Sequence, residues 1–276
     1  IYLIGMLLCI LSIFMIVPAF VDWFYGSENW PAFVGSSIAT LFVGIVLFFS
    51  NKGSATEHLE LRQAFLLTNS AWISIALFGS LPFLLSDIEM SFIDAFFEST
   101  SGITTTGATV IENLEAKSHG ILIWRALLQW LGGVGIIVMA LAVLPMLSIG
   151  GMQLFKTESY ETPDKVVPKA ASFAAGISIV YITLTVIWAL MLWGAGMPIF
   201  DSIAHAMTTL ATGGYSTKSE SLAAFNSSTI EIIIIFGMLV GSLPFVHYLA
   251  LTKNGIKNLV KDDQVKLFLT LVFFIV

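Results

Sequence analysis

The chain has 276 residues, of which 57% are apolar and 11% charged, with a mean hydropathy of +0.92 and a formal net charge of −6. A soluble domain carries roughly 25% charged residues, so a water-soluble class is excluded and the large core that this length allows must face lipid. The single cysteine, Cys9, rules out a disulfide framework within the chain, and no nucleic-acid partner is expected.

A helical span takes about 20 predominantly apolar residues. In chain order, residues 1–20 meet that need, followed by the polar turn "DWFYGSENWP" with Trp23 and Trp30 as interface anchors. Residues 33–49 form a second span and 64–85 a third. Residues 91–103 are only half a span long and lead into "TSGITTTGATV". A long fourth span covers 121–149, and the polar loop "GGMQLFKTESYETPDKVVPK" separates it from a fifth at 170–193. Residues 199–210 are again half-length and lead into "ATGGYST". Residues 229–251 make a sixth span and Val265 opens a seventh. No cleavable signal peptide is visible. The non-methionine start and the apolar run "KLFLTLVFFIV" at the end read as part of a longer polypeptide.

The layout repeats. Spans three and four bracket a short helix and a Thr/Gly loop, as do spans five and six, and such repeats reflect architecture. Both short helices open on an aspartate, in "FIDAFF" and "IFDSIA". Asp94 to Gly107 is thirteen residues and Asp201 to Gly213 twelve, so the copies are expected to match with a one-residue slip. The expected organisation is two extra N-terminal helices over 1–50, a first pore unit over 62–150, a second over 168–252, and the start of a third at 262–276.

Charge orients the chain. With the first polar turn outside, nine basic residues fall inside: Lys52, Arg62, Lys156, Lys165, Lys169, Lys253, Lys257, Lys261 and Lys266. Only Lys117, Arg125 and Lys218 fall outside, with eleven of the eighteen acids. An outer vestibule of that sign concentrates cations, although an outer face emptied of lysine by topology alone would look the same.

Irregular backbone at membrane depth is tolerated only when it is buried in protein or lines a water-filled cavity. A cation loses its hydration shell only where oxygens replace it, and backbone carbonyls with threonine hydroxyls can do so. Small residues let the carbonyls converge, and glycine permits the φ values that turn them inward. Each half-helix aims the negative end of its dipole at the loop, with Asp94 and Asp201 at the opposite, positive end. "GGVG" at 132–135 reads instead as a close helix–helix contact.

The span–half-helix–"TTTGAT"–span unit, repeated as "TLATGGYST", resembles the TrkH/KtrB/HKT superfamily of potassium transporters. "GGMQLFKTES" at 150–159 and the two extra N-terminal spans resemble the bacterial TrkH branch in particular. The resemblance implies an all-α polytopic membrane protein, with repeated re-entrant pore units around a central pore and two of four units present. It implies a filter at Thr105, Thr106, Gly107, Ala108 and Thr109, and at Ala211, Thr212, Gly213, Gly214 and Tyr215. Potassium would sit at Thr105, Thr106, Gly107, Thr212 and Gly213, with Asp94, Glu98 and Asp201 supporting the pore helices. The central filter glycines would be Gly107 and Gly213. A serine at the first of these accompanies sodium selectivity in plant HKT members, so Gly107 favours potassium, and Gly107→Ser is expected to weaken that preference without disturbing folding. "TVGYG" is absent from both loops, which points to one principal ion site. The resemblance further implies a homodimer in the bacterial inner membrane, filter loops open to the outside, a cytoplasmic nucleotide-binding TrkA-like partner, and no organic cofactor.

A sodium-permeant HKT-type transporter is the alternative, with an intramembrane enzyme or receptor behind it. Ser99, His205 and Asp94 belong to no nucleophile or metalloprotease motif. His205 lies one helical turn from Asp201, and His58, His119 and His247 show no ligand spacing. Glu98 is different. An acid within a half-helix is costly unless paired, and Arg125 is its candidate partner.

Overall fold

The computed structural model describes residues 1–50, 61–147, 166–245, 247–248 and 262–275. The "GGMQLFKTES" stretch, His58, the expected unit ends at 150 and 252, and Lys52, Lys156, Lys165, Lys253, Lys257 and Lys261 lie outside the described residues. Among those described, every regular element is helical.

Helices α1 (Tyr2–Phe14) and α2 (Ile16–Phe24) together make one span, interrupted at Met15. Pro18 explains the interruption, because it has no N–H to bond back to Phe14. Helix α3 (Trp30–Ser50) packs closely on α1. A Cβ at Gly5 would lie 2.6 Å from Phe48 N, and one at Gly44 would lie 2.9 Å from Cys9 Sγ, so small residues set this crossing. The buried Ser37 hydroxyl donates to Ser12 O at 2.7 Å across the same contact. Helix α4 (Leu61–Gly79) continues into α5 (Leu81–Leu85), with Pro82 in the first turn of the second piece.

The first half-length segment is α6 (Phe92–Ile103), and the long α7 (His119–Leu147) follows it. Helix α8 (Val166–Gly194), the second half-length helix α9 (Ile199–Leu210) and α10 (Ser228–Ser242) repeat the order, and α11 (Asp263–Ile275) ends the described chain. Twelve helical residues rise only about 18 Å, well short of the roughly 30 Å hydrocarbon layer. Neither α6 nor α9 can cross. The helix containing Pro145 continues to Leu147, whereas α10 stops at Ser242, just before Pro244.

From the start of the half-helices to the loop glycines the two copies keep one register. α9 begins and ends 107 residues after α6. Thr105 and Thr212 share φ values of 55° and 54°, and Gly107 and Gly214 share 81° and 79°. Thr105 N donates to Gly102 O and Thr106 N to Ser101 O, and the same bonds recur from Thr212 N to Thr209 O and from Gly213 N to Thr208 O. The expected one-residue slip is therefore absent, and the counterpart of Gly107 is Gly214 rather than Gly213. Left-handed backbone falls at 105 and 107 and again at 212 and 214, and glycine, which adopts it cheaply, stands at the second position of each pair.

Two apolar cores result. One gathers α1, α3, α5, α6 and the first turns of α7 around Phe33, Phe83 and Trp124. The other gathers α8, α9 and α10 around Tyr181, Trp188 and Leu192, and Trp130 and Val134 of α7 pack against it. Helix α7 thus belongs to both. Large side chains such as Phe20, Phe42, Ile179 and Phe236 point outward, as a lipid-facing surface requires.

Asp22 fixes the start of α7. Its fully buried carboxylate accepts from Gly120 N at 2.5 Å and from the Ser118 hydroxyl at 3.0 Å, taking up a helix N-terminal amide that would otherwise be orphaned. Replacing Asp22 by Ala should lower stability by about 2 kcal/mol, read from thermal unfolding in detergent, with Asp22→Asn losing less.

Candidate functional site

Both Thr/Gly loops leave the C-terminal ends of their half-helices and meet each other. A Cβ at Gly107 would overlap the carbonyl oxygen of Gly213, so glycine is required there by contact as well as by φ. A serine at 107 must displace that carbonyl, so Gly107→Ser perturbs the junction itself, contrary to the expectation of undisturbed folding. Thr106, Ala108 and Thr109 are exposed, and Thr105 and Gly107 are half-buried. In the second loop Thr212 and Gly214 are exposed while Ala211, Gly213 and Tyr215 are buried. A cavity of ≈ 270 Å³ borders this loop, lined by Thr208, Thr212, Gly214, Ser216 and Ser242 among others.

Glu98 and Arg125 hold the loops from behind. Glu98 Oε1 lies 2.8 Å from Arg125 Nε and accepts from Thr109 Oγ1 at 2.9 Å. Its Oε2 accepts from Val110 N at 3.0 Å, and both side chains are almost wholly buried. Arg125 Nη1 also donates to Ser216 O at 2.9 Å, and the guanidinium lies 4.2 Å from the Tyr215 ring centroid. One charged pair therefore touches the end of each loop.

Tyr215 acts as a strut. Its hydroxyl reaches Glu98 O at 3.0 Å and Ala108 O at 3.1 Å, so its side chain is buried between the loops and does not face their exposed side. Ser101 Oγ donates to the same Ala108 carbonyl at 2.6 Å. In the second copy His205 stands where Glu98 stands in the first. Its Nε2 lies 3.1 Å from Ser216 Oγ, and its Nδ1 lies 2.8 Å from Asp201 O. Asp201 accepts from Thr217 Oγ1 at 2.6 Å and so ties the start of α9 to the end of its loop. Asp94 does not reach its loop. It pairs with the capping Ser91 at the start of α6.

Helix α7 carries a stripe that meets both loops. Gln129 Oε1 accepts from Tyr215 N at 3.0 Å. A Cβ at Gly132 would overlap Ile103 O, and one at Gly133 would lie 3.1 Å from Ala211 Cα and 2.6 Å from the Tyr181 hydroxyl. "GGVG" thus packs on the roots of both loops, as well as on a neighbouring span. Gln129, His205 and Thr217 were absent from the sequence-based site. The i, i+4 spacing of Arg125, Gln129 and Gly133 along an apolar span is the signal that marks the stripe.

Beyond the loops, Ser219 donates to Glu115 through its N at 2.8 Å and its Oγ at 2.6 Å, and Leu114 N donates to Ser219 Oγ at 3.1 Å. The Ser219 donors hold the Glu115 carboxyl below its ordinary value of 4.5. A depressed carboxylate adds stability above its unfolded pKa and loses it as pH falls through the folded one. This exposed contact therefore contributes fully at neutral pH, begins to weaken near 4.5 and is lost as pH falls through the lower folded value.

The chemistry available is that of uncharged oxygens. Threonine hydroxyls and loop carbonyls lie at the ends of two helix dipoles, and Arg125 neutralises the nearest carboxylate. Such a set can replace part of a monovalent cation's hydration shell.

Known proteins are similar to this chain in sequence and in fold. The TrkH family model, described as a cation transport protein, matches residues 29–276. The chain is 38% identical over 271 residues to a Trk system potassium uptake protein TrkH of Salmonella typhimurium, covering 97% of this chain and 56% of that one. It is 37% identical over 278 residues to the TrkH of Escherichia coli K12, with coverage of 99% and 57%. The crystal structure of the potassium transporter TrkH from Vibrio parahaemolyticus superposes with a TM-score of 0.87 at 37% identity, covering 98% of this chain and 55% of that one. The chain thus spans little more than half the length of these relatives.

Removing one member of a buried ion pair leaves an uncompensated charge. Arg125→Met should therefore cost about 3–5 kcal/mol in thermal unfolding, and Glu98→Gln combined with Arg125→Met should recover much of it. A double variant as unstable as Arg125→Met alone would refute the coupling.

Proposed function

Because the chain belongs to the TrkH family of cation transport proteins, we propose that it forms part of a potassium uptake system and lines the path of the permeating ion. The observation that carries this reading is the pair of Thr/Gly loops, each on a half-length helix, with the same left-handed positions 107 residues apart and in contact at Gly107 and Gly213. The proposed filter comprises Thr105–Thr109 and Ala211–Tyr215, and potassium is bound by oxygens of Thr105, Thr106, Gly107, Thr212 and Gly213. Glu98 and Asp201 support it through the bonds described above, and Asp94 supports it only by capping α6.

Residues 1–50 are two helices outside the pore units, 62–150 and 168–252 are the first and second units, and 262–276 begins a third. The distribution of lysine and arginine favours loops that open to the outside of a bacterial inner membrane. A glycine at 107, where a serine would offer a hydroxyl to a smaller ion, favours potassium over sodium. The relatives' designation as Trk system proteins supports a multi-component assembly, for which a homodimer docked on a cytoplasmic TrkA-like nucleotide-binding subunit is the proposed form.

The test is rubidium and potassium uptake in a strain without other potassium uptake, measured for the complete transporter. Gly107→Ser should reduce potassium preference over sodium about tenfold, equivalent to ~1.4 kcal/mol of differential binding. Gly214→Ser, where φ is +79° but the space is open, should act in the same direction with less effect on protein abundance. Wild-type ion preference in both variants would refute the filter, and a sodium-preferring wild type would turn the reading to an HKT-type transporter.

A further inference from the structure

Gly213 has no positive φ and is nevertheless a glycine, and its neighbour explains why. A Cβ at 213 would overlap the carboxamide of Gln129, lying 2.7 Å from its Nε2. The Gln129 side chain, fully buried, occupies the volume that a side chain on the second loop would need. Its Oε1 holds Tyr215 N at 3.0 Å, while its Nε2 has no hydrogen-bond partner. The same Nε2 lies 3.7 Å from the Cβ position of Gly107 on the first loop. A single carboxamide on α7 therefore sits behind the junction of both loops, anchored to one and packed near the other.

Orphaned buried donors are rare and unfavourable, so an amide left half-satisfied at this place needs a reason. Its shape supplies one. The second loop rests against the carboxamide, and the Gly213 carbonyl in turn contacts Gly107. Shortening residue 129 would let the second loop settle toward α7 and withdraw that carbonyl from the first loop.

We propose that Gln129 is a positioning residue that sets the separation of the two Thr/Gly loops and thereby the ion size the site accepts. This rests on those loops forming the filter. Arg125, one turn earlier on the same face, grips the far end of the second loop, so the two side chains clamp it at Tyr215 and Ser216.

The experiment measures relative permeability to sodium, potassium, rubidium and caesium in the complete transporter, together with protein abundance. Gln129→Ala should raise caesium permeability relative to potassium about fivefold or more. Gly213→Ala, which forces a methyl into the carboxamide, should abolish uptake. Combining Gly213→Ala with Gln129→Ala should restore uptake, because the second change vacates the space that the first requires. Failure of the rescue would mean that the carboxamide is not what excludes a side chain at 213, and a purely structural role for Gln129 predicts an unchanged ion series in whatever Gln129→Ala protein reaches the membrane. Either result overturns the proposal. Gly107→Ser serves as the control: if it shifts the series while Gln129→Ala does not, the positioning role fails and the filter stands, and if neither shifts it, the filter reading falls as well.

Discussion

The buried pair of Glu98 and Arg125 is the interaction on which the rest of the site depends. Two charges almost wholly removed from solvent are tolerable only when each is also hydrogen-bonded, and both are. Satisfying them forces four pieces of chain together: α6, the end of the first loop, α7 and the end of the second loop. The placement of α7 pairs Arg125 with Glu98 and at the same time leaves its guanidinium on Ser216 O and over Tyr215. The pair also cancels the carboxylate that bonds the end of the first loop. The exposed side of the loops is left with neutral oxygens, which suits the proposed passage of an ion that must leave as readily as it enters.

The long α7 follows from the same constraint. Its residues at one-turn intervals do different jobs along one face. Arg125 supplies charge, Gln129 an amide, and Gly132 and Gly133 the absence of a side chain where Ile103 O and Ala211 press against the helix. Asp22 holds the start of that helix, so the N-terminal hairpin, outside either repeat, helps fix its register against both loops. The Glu115–Ser219 contact joins the stretches that follow the loops and closes the arrangement on the far side.

Much of this was legible in the amino-acid order. Half-length apolar segments, the Thr/Gly loops, their repetition and the need of Glu98 for a partner all follow from hydropathy and from the cost of buried charge. The register of the repeat was not legible. Both "TTTGAT" and "ATGGYS" offer a glycine to align, and the second offers two. Only φ distinguishes Gly214, which needs a left-handed backbone, from Gly213, which needs room for Gln129. The direction of the Tyr215 side chain was not legible for a similar reason. A residue inside a loop sequence can face either the open side or the packing behind it, and that direction depends on contacts with α6 and α7 more than 80 residues earlier.

The copies share a backbone but not a chemistry, and the difference has a physical cause. At one position the first copy uses the carboxylate of Glu98 and the second the imidazole of His205, and each reaches a loop hydroxyl, Thr109 or Ser216. The first copy can carry a charge because α7 delivers Arg125 to it. Among the described residues no ion pair is formed at position 205, so an acid there would lack the partner that Glu98 has. A neutral ring that both accepts and donates does the same bridging without that cost, taking Asp201 O on one nitrogen and Ser216 Oγ on the other. Repeats built from one backbone plan can therefore diverge in their supports while their loops stay superimposable. The constraint on a Thr/Gly loop is its φ pattern and its freedom from side-chain bulk, whereas the constraint on a support is only that every buried polar group finds a partner.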